Sequence, residues 1–198
     1  QAIATARRIG AVVSATDVRA AAKEEVESLG ASFVMVEPDE DETGQTDGGY
    51  AKEMSESYKR RQADLVAKHI ADQDIVITTA LIPGRIAPEL INNGMIESMR
   101  AGSVIVDLAV EQGGNVTQSV GGEVVTTDNG VIIMGYYNLP SRLASDSSAL
   151  YARNLLNFVE LMINKETSEL EIDWEDEIIT GSCLTREGKI VHPALLPK

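Results

Sequence analysis
The apolar pattern of this chain keeps changing period, from helical to extended and back, and that alternation restricts the fold more than any other feature. Gln1–Ile9 (QAIATARRI) reads as a helix stopped by Gly10, and Ala11–Thr16 (AVVSAT) as a short β-branched strand ending on Asp17. Ala20–Leu29 reads as a second helix closed by Gly30, followed by the strand Ser32–Val36 (SFVMV). A helix from about Tyr50 to Ala71 leads to the strand Asp74–Thr78 (DIVIT). The segments TALIPGR, with Pro88 expected in a first helical turn, and MIESMRAG lead to Ser103–Asp107 (SVIVD). Val131–Met134 (VIIM) closes the series. Strands that alternate with helices in this way build a parallel sheet with crossover helices, so the expected fold class is α/β.

The organisation expected from this pattern is a sheet domain over residues 1–140, a long connecting helix over 141–164, and a C-terminal appendage over 165–198. The helix has Leu143, Leu150, Leu155, Phe158 and Leu161 as its apolar positions, and the appendage has weak periodicity and a Pro-rich end. Between Glu37 and Gly49 the pattern gives way to EPDEDETGQTDGG. A loop of this length inside a compact domain is expected to be a functional lid or insertion.

Charge and cysteine usage narrow the functional classes. The chain of 198 residues carries 17 Lys+Arg against 31 Asp+Glu, a formal charge of -14. Nucleic-acid binding relies on clustered Lys and Arg, so it is excluded as a main function, and docking on anionic lipid is disfavoured for the same reason. The single Cys183 allows no intrachain disulfide and no Cys-rich zinc site, which suits a reducing compartment. No apolar run approaches the roughly 20 residues of a membrane span, so direct membrane insertion is not expected.

Few residues offer chemistry. Asp17 ends a strand that follows a helix, the place where an acid in dinucleotide-binding units accepts a hydrogen bond from the adenosine ribose, about 20 residues after a Gly-rich turn. Counting back that far runs off the given residues. The first strand and the glycine turn of a Rossmann-like, doubly wound sheet are therefore expected to lie outside this chain, leaving a gap in the sheet beside Ala11–Thr16. Thr78–Leu81 and Asp107–Ala109 stand at the carboxyl ends of strands, where open parallel sheets bind ligands; ordinary strand-to-helix turns would look the same. Gly113-Gly114-Asn115 reads as a turn first and a ligand contact second. His69 reads as a solvated helix-face residue, and His192 precedes Pro193 near the end. Two such His build neither a metal site nor a Ser/His/Asp arrangement, so no catalytic and no metal-binding residue is assigned. Asn115-Val116-Thr117 matches a glycosylation acceptor, which carries no meaning in a chain inside the cell. The acids Asp39–Glu42 lack the spacing of a calcium loop and read as solvated charge. Hydride transfer between two nicotinamide rings needs no acid or base; the protein has to align two carbons and exclude water.

Taken together, QAIATARRIGAVV, ATDVRAAAKEEVESLG, GGYAKEM, TTALIPG, GSVIVDLAVEQGGN, NLPSR and IVHPAL, in this order and spacing, resemble the NAD(H)-binding subunit or domain of bacterial proton-translocating transhydrogenase. The resemblance covers essentially the whole chain. It implies that Asp17, Val18 and Arg19 surround the adenosine ribose of NAD(H), and that Thr79, Ala80 and Leu81 line the dinucleotide cleft. It also implies that Gly49 and Tyr50, with Met54 beyond, sit on a mobile loop that closes over the nucleotide, so Glu37–Met54 is expected to be a lid ordered by binding.

The implied partners are a membrane-spanning proton-channel subunit and an NADP(H)-binding domain, with a homodimer of this subunit. The implied location is peripheral, on the cytoplasmic face of the bacterial inner membrane. In that family an N-terminal domain holding the nicotinamide precedes this region, and the C-terminal appendage packs on it. A chain without that domain is expected to bind NAD poorly. Alanine dehydrogenase is the related alternative, sharing ALIPG-type and DLA-x-x-QGG-type segments, but it lacks the GGYAKEM loop and has Asp in place of Glu111. A non-catalytic module that keeps the nucleotide fold is the alternative from another class.

Overall fold
A computed structural model describes residues 1–19, 21–36, 55–82 and 84–196. Gly49, Tyr50 and Met54, and with them the expected lid, lie outside the described residues. The chain divides into two compact units, Gln1–Tyr137 and Asn138–Lys198.

In the first unit, helix α1 (Ala2–Arg8) is followed by strand β1 (Ser14–Ala15), helix α2 (Ala21–Ser28) and strand β2 (Ser32–Phe33). β1 and β2 pair in parallel, Ser14 with Ser32 and Ala15 with Phe33. Both are shorter than the apolar runs that mark them. Helix α3 (Glu56–Ile70) then begins on Ser55, whose hydroxyl accepts the Tyr58 N–H at 3.2 Å and satisfies one of the free amides of the first turn. It leads into β3 (Ile75–Thr78), helix α4 (Asn93–Ser98) and β4 (Val104–Asp107). β5 (Val124–Thr126) and β6 (Ile132–Met134) complete a second sheet of order β3-β4-β6-β5.

The β3, β4 and β6 strands are parallel, as the alternation of helix and strand requires, whereas β5 runs antiparallel to β6. That edge strand is not among those expected from the apolar pattern. Its turn is Thr127–Gly130, where the Thr127 hydroxyl donates to Asn129 Oδ1 at 2.6 Å and the Gly130 N–H to the Thr127 carbonyl at 2.9 Å. An Asp-Asn-Gly turn between VVT and VIIM is a hairpin signal, and it marks this pairing once read as such. No ladder joins β1 to β3 among the described residues.

The core lies on one face of the larger sheet. Ile105 of β4 and Ile133 of β6 are fully buried with Ile96 of α4, and Ile70, Ile91, Met95, Met99, Val116 and Val131 surround them. Burial of side chains of this size contributes roughly 1.5–3 kcal/mol each. On the opposite face, by the alternation of the strands, stand Ile75 and Ile77, 66% and 47% exposed. Pro88 departs from expectation. It lies outside any helix, its carbonyl accepts from Asn115 Nδ2 at 2.7 Å, and the next helix starts later, at α4, where Asn92 Oδ1 caps the Met95 N–H at 3.1 Å.

The second unit opens with a 3-10 turn over Leu139–Leu143 that runs into helix α5 (Ala144–Glu160). Of the expected apolar positions, Leu143, Leu150, Leu155 and Leu161 are exposed and Phe158 is half-buried. The C-terminal segment forms helix α6 (Glu177–Ser182), capped by Asp176 through the N–H groups of Ile178 and Ile179, and an antiparallel pair β7 (Thr185–Arg186) and β8 (Lys189–Ile190). The Arg186 guanidinium stacks 3.9 Å from the centre of the Trp174 ring.

Candidate functional site
Asp17 leaves β1 and turns the backbone so that its Oδ1 accepts the Arg19 N–H at 2.9 Å. The Arg19 side chain closes on the same carboxylate, Nε to Oδ1 at 3.0 Å and Nη2 to Oδ2 at 2.7 Å. A planar guanidinium matched to two carboxylate oxygens fixes the orientation of both groups. Burial by itself would push the Asp17 carboxyl up. The Arg19 hydrogen bonds and charge outweigh that and hold it below its ordinary value of 3.8, while Asp17 raises Arg19 in turn. Val18, between them in the chain, is half-buried.

Because the folded-state value of Asp17 lies below the unfolded one, its contribution to stability is present above the ordinary carboxylate range. It is lost as the pH falls through the folded value. Arg19→Ala is expected to move the Asp17 titration upward, read from the carboxyl carbon shift by NMR; an unmoved titration would show that Arg19 does not set it.

Helix α3 fixes the surroundings of this turn. Gln62 Nε2 donates to the Thr16 hydroxyl at 2.7 Å, and Gln62 Oε1 accepts the Val36 N–H at 3.0 Å, so one side chain joins the ends of β1 and β2. His69, expected on a solvated face, is half-buried, with Nε2 2.7 Å from the Ser14 hydroxyl. Helical periodicity places it on α3, but only the long-range approach of β1 provides its partner.

The second group of expected site residues is at the carboxyl end of β3. Thr79 and Leu81 are exposed and Ala80 half-buried. Beneath them is a polar bracket whose parts the sequence shows only as turns. Asp107, fully buried at the end of β4, accepts from the Thr78 hydroxyl at 3.2 Å, the Ala109 N–H at 3.0 Å, and the Asn115 N–H at 3.2 and 3.0 Å on its two oxygens. Asn115, also fully buried, pairs with both backbone groups of Ala80: Oδ1 accepts its N–H at 3.0 Å and Nδ2 donates to its carbonyl at 2.9 Å. The glycosylation match at Asn115 is therefore excluded by burial, since an acceptor amide has to be reachable.

Gly114 makes the bracket possible. Its φ is +82°, and a Cβ there would stand 2.7 Å from Asp107 Oδ2, so a side chain meets both a strained backbone and an occupied space. The two groups of site residues thus end parallel strands of different sheets, Asp17–Arg19 after β1 and Thr79–Leu81 after β3. Among the described residues no cluster of His, Cys, Asp and Glu suited to a metal ion occurs, and no helix is long and apolar enough to cross a membrane.

The chain is 55% identical over 195 residues to an NAD(P) transhydrogenase subunit alpha polypeptide of Rhodospirillum rubrum, covering 98% of this chain and 50% of that protein. It is similar to the crystal structure of transhydrogenase from Sinorhizobium meliloti, with a TM-score of 0.74 and 51% identity over 96% of this chain and 49% of that one. A solved L-alanine dehydrogenase shares the fold at 24% identity and a TM-score of 0.63, over 96% of this chain and 46% of that one. The chain thus spans about half the length of the Rhodospirillum relative it matches. The family model described as alanine dehydrogenase/PNT, C-terminal domain, matches residues 1–193. With its parallel sheet, the acid that closes β1 and this extent of similarity, the chain belongs to the alanine dehydrogenase/PNT C-terminal domain family.

Proposed function
We propose that this chain is the NAD(H)-binding part of a proton-translocating NAD(P) transhydrogenase. The observation that carries the reading is Asp17: a carboxylate at the carboxyl end of a parallel strand, oriented by Arg19 before any ligand arrives. Its Oδ2 takes a single bond from Arg19 and its side chain keeps 30% exposure, so it has room to accept a ribose hydroxyl as well. The donor and acceptor set therefore fits the adenosine end of NAD(H), with Val18 and Arg19 beside the ribose and Thr79, Ala80 and Leu81 along the cleft. Bound NADH supplies a hydride, which leaves NAD+ behind and converts NADP+ on a partner domain to NADPH. This chain binds and orients; no side chain of it has to exchange a proton with the rings. The much higher identity to transhydrogenase than to alanine dehydrogenase favours this reading over the related oxidoreductase.

The same reading extends to the rest of the assembly. A strand contributed from outside these residues would join the edges of β1 and β3, between which the described residues form no ladder. Gly49 and Tyr50 would close over the nucleotide. Residues 1–140 would serve as the nucleotide domain, 141–164 as a connecting helix, and 165–198 as the segment that packs on an N-terminal domain. The exposed Leu150, Tyr151 and Leu156 of α5 support an apolar partner for that helix. A membrane-spanning proton-channel subunit, an NADP(H)-binding domain and a second copy of this subunit complete the proposed complex. Its place would be the cytoplasmic face of the bacterial inner membrane.

Titrating NADH into the full-length subunit that carries this segment is expected to give saturable binding by fluorescence, and the assembled enzyme is expected to pass the hydride to NADP+. Saturable binding of neither NADH nor NAD+ would refute the assignment.

A further inference from the structure
We propose that Asn115 is a positioning residue for nucleotide binding, setting the 79–81 backbone before the ligand arrives. This rests on the reading of those residues as part of the NAD(H) cleft. Asn115 is fully buried, and among the described residues its side-chain hydrogen bonds go to chain segments far from it in sequence. Its amide nitrogen donates both to the Ala80 carbonyl at 2.9 Å and to the Pro88 carbonyl at 2.7 Å, so one group holds the chain where it leaves β3 and where it returns. Its backbone carbonyl accepts from Leu90 and Ile91, at 2.9 and 3.0 Å, and fixes the return a second time. Asp107 holds the Asn115 N–H from beneath.

The Ala80 N–H is committed to this contact, and its carbonyl is already occupied by a donor. Recognition at this end of the cleft therefore falls to the exposed Thr79 and Leu81 that flank it. A loop fastened in this way loses little conformational freedom when a ligand docks, and the saving appears as affinity. No side chain other than Asn has the reach and both polar atoms for the Ala80 pairing here. Asp lacks the donors, Gln is one methylene longer, and Ser does not reach Pro88 while holding Ala80.

The test uses the full-length subunit in the assembled enzyme. In the wild type, hydrogen exchange is expected to show the Ala80 amide as protected as that of Val76, whose N–H lies in the β3–β4 ladder, before NADH is added. Asn115→Ala is expected to raise the KM for NADH about tenfold with kcat at saturation nearly unchanged, the pattern of lost binding rather than lost active protein. Asn115→Ser, which leaves a smaller void, is expected to fall between the two. An unchanged KM with reduced kcat or reduced yield in both variants would make Asn115 structural only and overturn the proposal, as would an Ala80 amide protected only after NADH is added. Failure of the wild type itself to bind NADH would instead refute the functional assignment on which the proposal stands.

Discussion
Asp107→Ala is expected to lower the unfolding free energy by about 3–5 kcal/mol, among the largest single-residue losses this domain can show. The carboxylate is fully buried and accepts from the Thr78 hydroxyl and from the Ala109 and Asn115 N–H groups. Truncation leaves three donors facing an apolar methyl in a space closed by Gly114. Each buried donor without a partner costs about 1–3 kcal/mol, and local relaxation with water entry keeps the total below their sum. The loss should appear as a lower midpoint in urea with the slope preserved. Loss of the bracket would also loosen Asn115 and the Ala80 backbone, so NADH affinity should fall together with stability. A change under about 1 kcal/mol would mean that other groups already satisfy these donors.

Asp17→Asn is expected to reduce the preference for NAD(H) over NADP(H) by at least about tenfold. A carboxylate at the ribose accepts the 2′-hydroxyl and repels a 2′-phosphate, whereas an amide does not repel it. Arg19 amplifies the effect. In the native arrangement two of its nitrogens are tied to Asp17 at 3.0 and 2.7 Å. The neutral amide offers only one oxygen, which releases part of the guanidinium to meet a phosphate. Competition of NADPH against NADH on the full-length subunit measures the ratio directly. An unaltered ratio would remove Asp17 from the ribose site and return the Asp17–Arg19 pair to a turn-stabilising role. A double variant that also carries Arg19→Ala should lose most of the gained NADP(H) affinity, because the released cation is its source.

Local sequence determined a large share of this protein. The α1 and α2 helices could be read because Gly10 and Gly30 end runs of helix formers. The β3, β4 and β6 strands could be read because short β-branched runs such as IVIT and VIVD stand between helical and turn-forming segments. The position of Asp17 after β1, and of Thr79–Leu81 after β3, follows from the same short-range pattern. A resemblance carried by many short motifs in order indicated the family as well.

Other features were decided by contacts between residues far apart in the chain. Gly113-Gly114-Asn115 reads as a turn, and it is one; that its Asn is fully buried and pairs with Ala80 depends on β3 and β4 lying side by side, 35 residues apart in sequence at that contact. His69 reads as solvated because its helical neighbours are Lys and Asp, until β1 brings Ser14 to it. Pro88 is compatible with a helix start, but the Asn115 amide takes its carbonyl, and the helix begins later, where Asn92 can cap it. The exposed apolar residues of α5 follow the helical period as a core stripe would, and periodicity alone does not say what covers them. Period, capping and turn chemistry act over a few residues and are written in the sequence. Which buried polar group meets which partner is settled only when distant strands come into register, because an unpaired group in the core costs more than any local preference can offset.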